Sequence, residues 1–493
     1  MRAMLFLLLA FLPVEALRAE WLRAETPHFV VHSQGTAAEV SAYASEIESL
    51  HRLLAMVTGM REPVRGRRLD IFVLDDVATV RRLVELPPGV RAFYASGNFG
   101  DMAVVGRRDP EIPGNVPAWR WALFHEYSHY FLSRYISERS PLWFDEGFAS
   151  VFETMEALAP DRVRFGAMPE SRWEALTPVR RLPLQTLLSH TPDTSDIESN
   201  AQYYAEGWLL AHYHLFGGSR SAEIGAYLRK VNAGEALPPL DSLFTGGVAG
   251  LEGDLAAYRA ARKFPTREVT IPAVAAADIR VEPLRPGLAE LVPIRIRETM
   301  VDGFEGLDQI YAATLPVARK YPDDAEVVSI AAWMAYAAHD YDTARQLIAP
   351  LIAAGASDPH LLALQGRLIT REALDGAEAE DFDPILRRGR AFIERALKSA
   401  PNDPVVLRAL FANYEAGLGE TPAMAYDYLE KALANAPADD DLRFELAEAL
   451  IKKRDYARAI NTLSPLANAP HPSRGQAKAK AYIEALEERR RGG

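Results

Sequence analysis

Two histidines, His125 and His129, flank a glutamate in the run His125-Glu126-Tyr127-Ser128-His129. On a helix, a spacing of four places both imidazoles on one face, close enough to share a metal ion. Glu126 lies near that face, where it can reach a water at the metal without being a ligand. A catalytic zinc site wants three protein ligands and an open position. The chain has no cysteine. Thiolate sites, iron–sulfur clusters, disulfides and cysteine nucleophiles are therefore excluded, and the third ligand must be a downstream carboxylate or histidine. Glu146, in Trp143-Phe144-Asp145-Glu146-Gly147-Phe148-Ala149, is the candidate. Glu153, two helical turns further on the same face, can accept a hydrogen bond from a ligand histidine and fix its tautomer. Asp145 reads as a helix-start acid favoured by the dipole. Gly147 and Ala149 leave room for close packing against the histidine helix.

These residues need a framework of 493 residues, 49% hydrophobic and 25% charged, with a net charge of −12. That composition excludes a disordered or collagen-like chain, and the acidic balance argues against nucleic acid as a partner. Met1–Ala19 has the parts of a secretory signal: Arg2, the apolar run Met4–Leu12, and small residues at Ala16 and Ala19. It is too short for a membrane anchor, so an exported protein, periplasmic or secreted, with no retained membrane helix is expected. Strands are expected at 28–32 and 68–74, a hairpin or a strand with an internal turn over 91–106 with turn chemistry at Gly97-Asn98 and Gly100-Asp101, and helices over 37–56 and 77–84. A helix capped near Asn115, with Pro117 in its first turn, runs to about Ser137. A second starts near Pro141 and passes Met155, and a third spans about 201–216. Gly246, Gly247, Gly250 and Gly253 read as loop. Residues 268–272 and 279–286, extended around an alanine-rich stretch, read as a linker.

From about residue 287 the sequence repeats. Pro322, Asp340-Tyr341 and Ala344 recur at a single offset of 115 residues as Pro437, Asp455-Tyr456 and Ala459. Pro359 and Pro401 mark further boundaries. Periods near 40 residues mean stacked helix–turn–helix units, in which the tyrosine and alanine pack between helices and the proline separates one unit from the next. This stretch resembles the tetratricopeptide repeat and is expected to carry a core of its own and to bind a protein partner.

The first motifs also resemble a family. His125-Glu126-Tyr127-Ser128-His129 with Trp143–Ala149 looks like the gluzincin metallopeptidases, and more closely like the peptidase-MA-like domains of bacterial exported proteins. The resemblance implies that His125, His129 and Glu146 bind one zinc ion, that Glu126 is the general base, and that Glu153 supports the ligands from behind. Asp145 stands where the aminopeptidase-N-type pattern has asparagine. That pattern also has a tyrosine heading a helix, which stabilises the tetrahedral oxyanion; in Tyr203-Tyr204-Ala205-Glu206-Gly207-Trp208 it falls on Tyr204, leaving Tyr203 to packing. His212 and His214, two apart on this helix, cannot face one metal together and read as packing or surface residues. The glutamate that grips a free amine in the aminopeptidase-N type is missing from Gly97–Ala103, the expected edge strand. Aminopeptidase specificity is not supported, while backbone pairing of an extended peptide to that edge stays open.

The expected architecture is thus a signal over 1–19 and an α+β zincin-like metallopeptidase domain over 20–265, a small mixed sheet plus helices. A linker over 266–286 and an all-α tetratricopeptide-like domain over 287–490 follow. The expected function is zinc-dependent hydrolysis of peptide bonds in a peptide or protein substrate. The alternative is a catalytically spent zincin scaffold serving as a protein-binding module. A purely structural zinc site would want a fourth protein ligand, and none is apparent.

Overall fold

The computed structural model describes residues 20–60, 68–86, 90–97, 100–109, 118–136, 140–176, 182–189, 197–233, 235, 237–261, 263–300, 303–376, 378–468 and 474–492. The expected signal, the Asn98–Phe99 turn and the helix cap around Asn115 and Pro117 lie outside them. Among the described residues no helix is long and apolar enough to cross a membrane.

Among the described residues nine strands form two sheets: β1 (Trp21–Glu25), β2 (Phe29–Gln34), β3 (Leu69–Leu74), β4 (Ala92–Gly97), β5 (Gly100–Gly106), β6 (Glu156–Ala159), β7 (Arg162–Phe165), β8 (Arg267–Thr270) and β9 (Arg280–Pro283). The main sheet has the order β4-β5-β3-β2-β1-β9, and the small one β6-β7-β8. β3 pairs parallel to both β2 and β5, while the β4–β5, β1–β2 and β1–β9 pairs are antiparallel. Strand β3, Leu-Asp-Ile-Phe-Val-Leu, is nearly uninterrupted in apolar residues because both of its faces are covered. On one face Leu69, Ile71 and Val73, with Phe29, Val31, Ala103 and Val105, meet the helices Ala37–Thr58 and Ala118–Phe131. On the other, Phe72 and Leu74, with Phe93, Met102 and Val104, meet the helix Pro286–Glu298 and its two successors, Gly303–Lys320 and Ala325–Ala337. The alternation of side chains along a strand makes this division.

Four expectations change here. The stretch read as a linker supplies β8 to the small sheet, paired to β7, and β9 to the main sheet, paired to β1 near the start of the chain. The repeat region does not have a wholly separate core: its first helices complete the second face of the main sheet. The edge strand is β4. Gly100–Ala103 belongs to β5, enclosed between β4 and β3, because the hairpin folds back onto the sheet. Of the glycine cluster, Gly247, Gly250 and Gly253 lie inside the helix Gly247–Ala260, and only Gly246 and Gly247 need left-handed backbone at its start.

Beyond residue 303 consecutive helices stack with small cores between neighbours, as expected of a repeat array. The 115-residue offset is structural. Asp340 and Asp455 each cap the following helix by accepting from the backbone N–H three residues on, and Ala344 and Ala459 are fully buried beneath it. His339 and Arg454, also 115 apart, are the two non-glycine residues with left-handed backbone among those described. Asp324 and Asp439 cap helices at the same offset.

Candidate metal centre

Three helices build the site. His125, Glu126 and His129 lie on Ala118–Phe131, which continues as a π-helical turn, Leu132–Ile136, the form in which single wide turns often accompany functional sites. Asp145 and Glu146 lie in the first turn and a half of Leu142–Phe152. That helix stops at Phe152, short of the expected end, and Glu153 is its C-terminal cap residue, still on the ligand face. Tyr203 and Tyr204 lie on Ile197–Leu215.

Packing of the second helix differs from expectation. Gly147 abuts the Tyr204 helix rather than the histidine helix. A Cβ on Gly147 would fall 2.3 Å from the carbonyl oxygen of Gly207, and one on Gly207 2.8 Å from that of Trp143. Two facing glycines thus let these backbones touch and bring Glu146 and Tyr204 into one site.

His125, His129 and Glu146 each offer a ligand atom, all within 4.8 Å of one another, the one such trio among the described residues. The two Nε2 atoms are 3.1 Å apart; Glu146 Oε2 is 3.2 Å from that of His125 and 3.8 Å from that of His129. Ligands about 2.0–2.2 Å from a tetrahedral zinc are about 3.4 Å from each other, so the donor set fits this ion. Orientation comes from behind. His125 Nδ1 lies 2.7 Å from Glu153 Oε2, and His129 Nδ1 3.0 Å from Asp145 Oδ2. A carboxylate at Nδ1 holds the proton there and leaves Nε2 with its lone pair facing the cluster. Two such lone pairs and a carboxylate aimed at one point demand a positive charge. Accordingly, although burial opposes it, the carboxylates of Glu146 and Glu153 push His125 up to about 10 in the metal-free protein, and Asp145 and Glu146 raise His129 likewise.

From its position in the sequence, Asp145 reads only as a helix-start acid. It does sit in the first helical turn, but it is buried and turned to His129. Arg172 carries no sequence signal at all. Its Nη2 lies 3.2 Å from Ser150 Oγ and 4.0 Å from Glu153 Oε2, and its guanidinium stands 5.4 Å from the Tyr204 ring centroid. It therefore links the carboxylate behind His125 to the tyrosine in front.

Tyr204 is half-buried. Burial, then the charge of Glu146, then those of Glu126 and Asp145, push its phenol up to about 12 against the opposing Arg172, so the phenol stays a donor at neutral pH. Tyr203 is buried and directs its hydroxyl away, 3.5 Å from the Leu187 carbonyl. His212 is fully buried between Tyr258 and the Gly166 carbonyl, and His214 is half-buried; neither joins the cluster.

Comparison with known proteins adds the repeats. Residues 420–481 match the tetratricopeptide repeat family. They contain the helices Ala423–Asn435, Asp440–Lys452 and Tyr456–Ala467, together with the capping aspartates Asp439 and Asp455. A thermophilic tetratricopeptide repeat protein of Thermus thermophilus is similar in structure at 16% identity, over 36% of this chain and 91% of that one, with a TM-score of 0.32. No curated protein matches the chain.

Proposed function

We propose that this chain is an exported zinc-dependent peptidase of gluzincin type whose repeats hold a protein partner or present the substrate. The observation that carries the reading is the convergence of His125, His129 and Glu146 on one point, with Glu153 and Asp145 fixing both imidazoles and with Glu126 and Tyr204 alongside. Zinc bound there would act as a Lewis acid toward water and the scissile carbonyl. Glu126 takes the proton of the attacking water and delivers it to the departing amine. The Tyr204 phenol donates a hydrogen bond to the oxygen on which charge develops. Glu153 and Asp145 keep the imidazoles in the tautomer a metal requires, and Arg172 keeps Glu153 in place.

The test is Glu126→Gln, assayed for zinc content and for hydrolysis of casein or a peptide library. The substitution keeps shape and removes the base. Zinc should be retained, and activity should fall by roughly 10²–10⁴-fold, the usual contribution of a general base. Full activity in the variant, with contamination excluded by a matched purification, would refute the mechanism. The second reading, a spent scaffold carrying a binding module, draws support from the repeat match over 420–481. Under it, unmodified protein and variant behave alike in every assay.

A further inference from the structure

The histidine helix does not end in solvent. Its π-helical extension carries Arg134, whose Nη1 donates to the carbonyl oxygen of Asn435 at 2.6 Å, a bond between residues 301 apart in sequence. Asn435 is the last residue of the helix Ala423–Asn435, inside the segment that matches the tetratricopeptide family. Carbonyls in the last turn of a helix lack intrahelical partners and sit at the negative end of its dipole, so a guanidinium satisfies both. Three further groups surround the same guanidinium. The Tyr135 ring centroid is 5.7 Å away, and Tyr130 and Asp101 act on its charge. Asp101 belongs to β5, where it accepts from Ser96 of β4 at 2.8 Å. Tyr130, next to His129, stacks at a tilt against Tyr94 of β4, with centroids 5.5 Å apart. One side chain thus bonds the histidine helix to a repeat, with Asp101 of the hairpin acting on it through charge.

We propose that Arg134 is a positioning residue that couples the metal site to the matched repeat, so that whatever orders one orders the other. The metal half of this proposal rests on the zinc reading above; the junction itself does not. Coupling between sites is reciprocal: if the repeat steadies the histidine helix, a metal that steadies the histidine helix must also steady the repeat.

Hydrogen–deuterium exchange on the full chain, with and without zinc, tests this in unmodified protein, Arg134→Ala and Arg134→Lys. Without zinc, Arg134→Ala should raise exchange at 129–136 and at 423–435 together, by about tenfold, the scale of one hydrogen bond from a charged donor. Arg134→Lys should restore part of the protection, since an ammonium can still reach the carbonyl. Exchange in the distant helix Tyr341–Ala353 should not change. Zinc should slow exchange at 118–136 in all three proteins but at 423–435 only where the residue at 134 is cationic. A role confined to local packing would loosen 132–136 alone, and that result overturns the proposal. So does zinc protection of 118–136 in unmodified protein with none at 423–435. If zinc protects neither segment, the zinc reading fails, and the metal-free arm still decides the junction.

Discussion

The two halves of this molecule are stabilised in different ways. Around the candidate metal centre, contacts are long-range and strongly polar: buried carboxylates behind half-buried imidazoles, two glycines that let backbones touch, and an arginine bridging Glu153 to Tyr204. In the repeats, contacts are local and recur, with an aspartate cap, a buried alanine and a left-handed turn residue at one offset. Desolvated charge arranged at a cost suits chemistry; redundant local capping suits a scaffold that must only keep its shape. This contrast ranks the consequences of perturbing each half.

The largest separation is in rate. Tyr204→Phe removes one oxyanion donor and should lower kcat by about 10²-fold with zinc content unchanged. Tyr203→Phe should leave kcat near its original value, because that hydroxyl points to Leu187. Steady-state kinetics on both variants decides, and a loss confined to Tyr203→Phe would move the oxyanion role to the other tyrosine.

A second separation lies in acid response. Burial lowers His212 to about 4, with Arg267 adding to the effect, and burial also lowers His51 to about 2 with help from His28 and Arg52. A histidine that must stay neutral when folded binds fewer protons than its unfolded form below pH 6.5. Its contribution is therefore complete above that pH and is lost as pH falls toward the folded value. For His212 that loss is about 3 kcal/mol by pH 4. In the repeats, burial raises Asp440 to about 6, which has the opposite sign: the strain of its charge is relieved as pH drops through 6 toward 3.8. Acidification from pH 7 to 4 should thus loosen the half with the candidate metal site before the repeats, seen as earlier loss of protection at 197–215 than at 440–452 in exchange measurements.

The smallest effects test the internal symmetry of the repeats. Asp340→Ala and Asp455→Ala each remove one helix cap and should each cost about 1 kcal/mol in thermal or denaturant unfolding. Because Tyr311 also donates to Asp340 at 2.7 Å, Asp340→Ala should be the costlier of the two.

What can be read from the residues alone follows the same division. The histidine pair and the repeat offset are periodic signals carried by nearby residues; the structure sets the two imidazoles side by side and repeats the helix caps at that offset. The candidate third donor Glu146 follows from the absence of cysteine and the family resemblance, and the supporting Glu153 from helical spacing. Asp145 is undervalued by its sequence, because a helix-start acid and an imidazole partner look the same there. Arg172 and Arg134 leave no trace, since their partners lie on other elements and no period links them. The stretch 266–286 passes for a linker because four-residue strands such as β9 gain their stability from partners distant in the chain: Arg280–Pro283 pairs with Leu22–Glu25. The shared core under Pro286–Glu298 is hidden for the same reason, as the apolar face of a first repeat helix does not say whether a helix or a sheet will cover it.

The central claim is that His125, His129 and Glu146 hold one zinc ion. Metal stoichiometry of the purified full chain, set beside His129→Ala with folding checked by circular dichroism, tests it most directly. About one zinc per chain in the unmodified protein and a near-complete loss in the folded variant is the predicted result. Zinc undiminished in folded His129→Ala, or none taken up by the unmodified protein when it is supplied, would contradict the account.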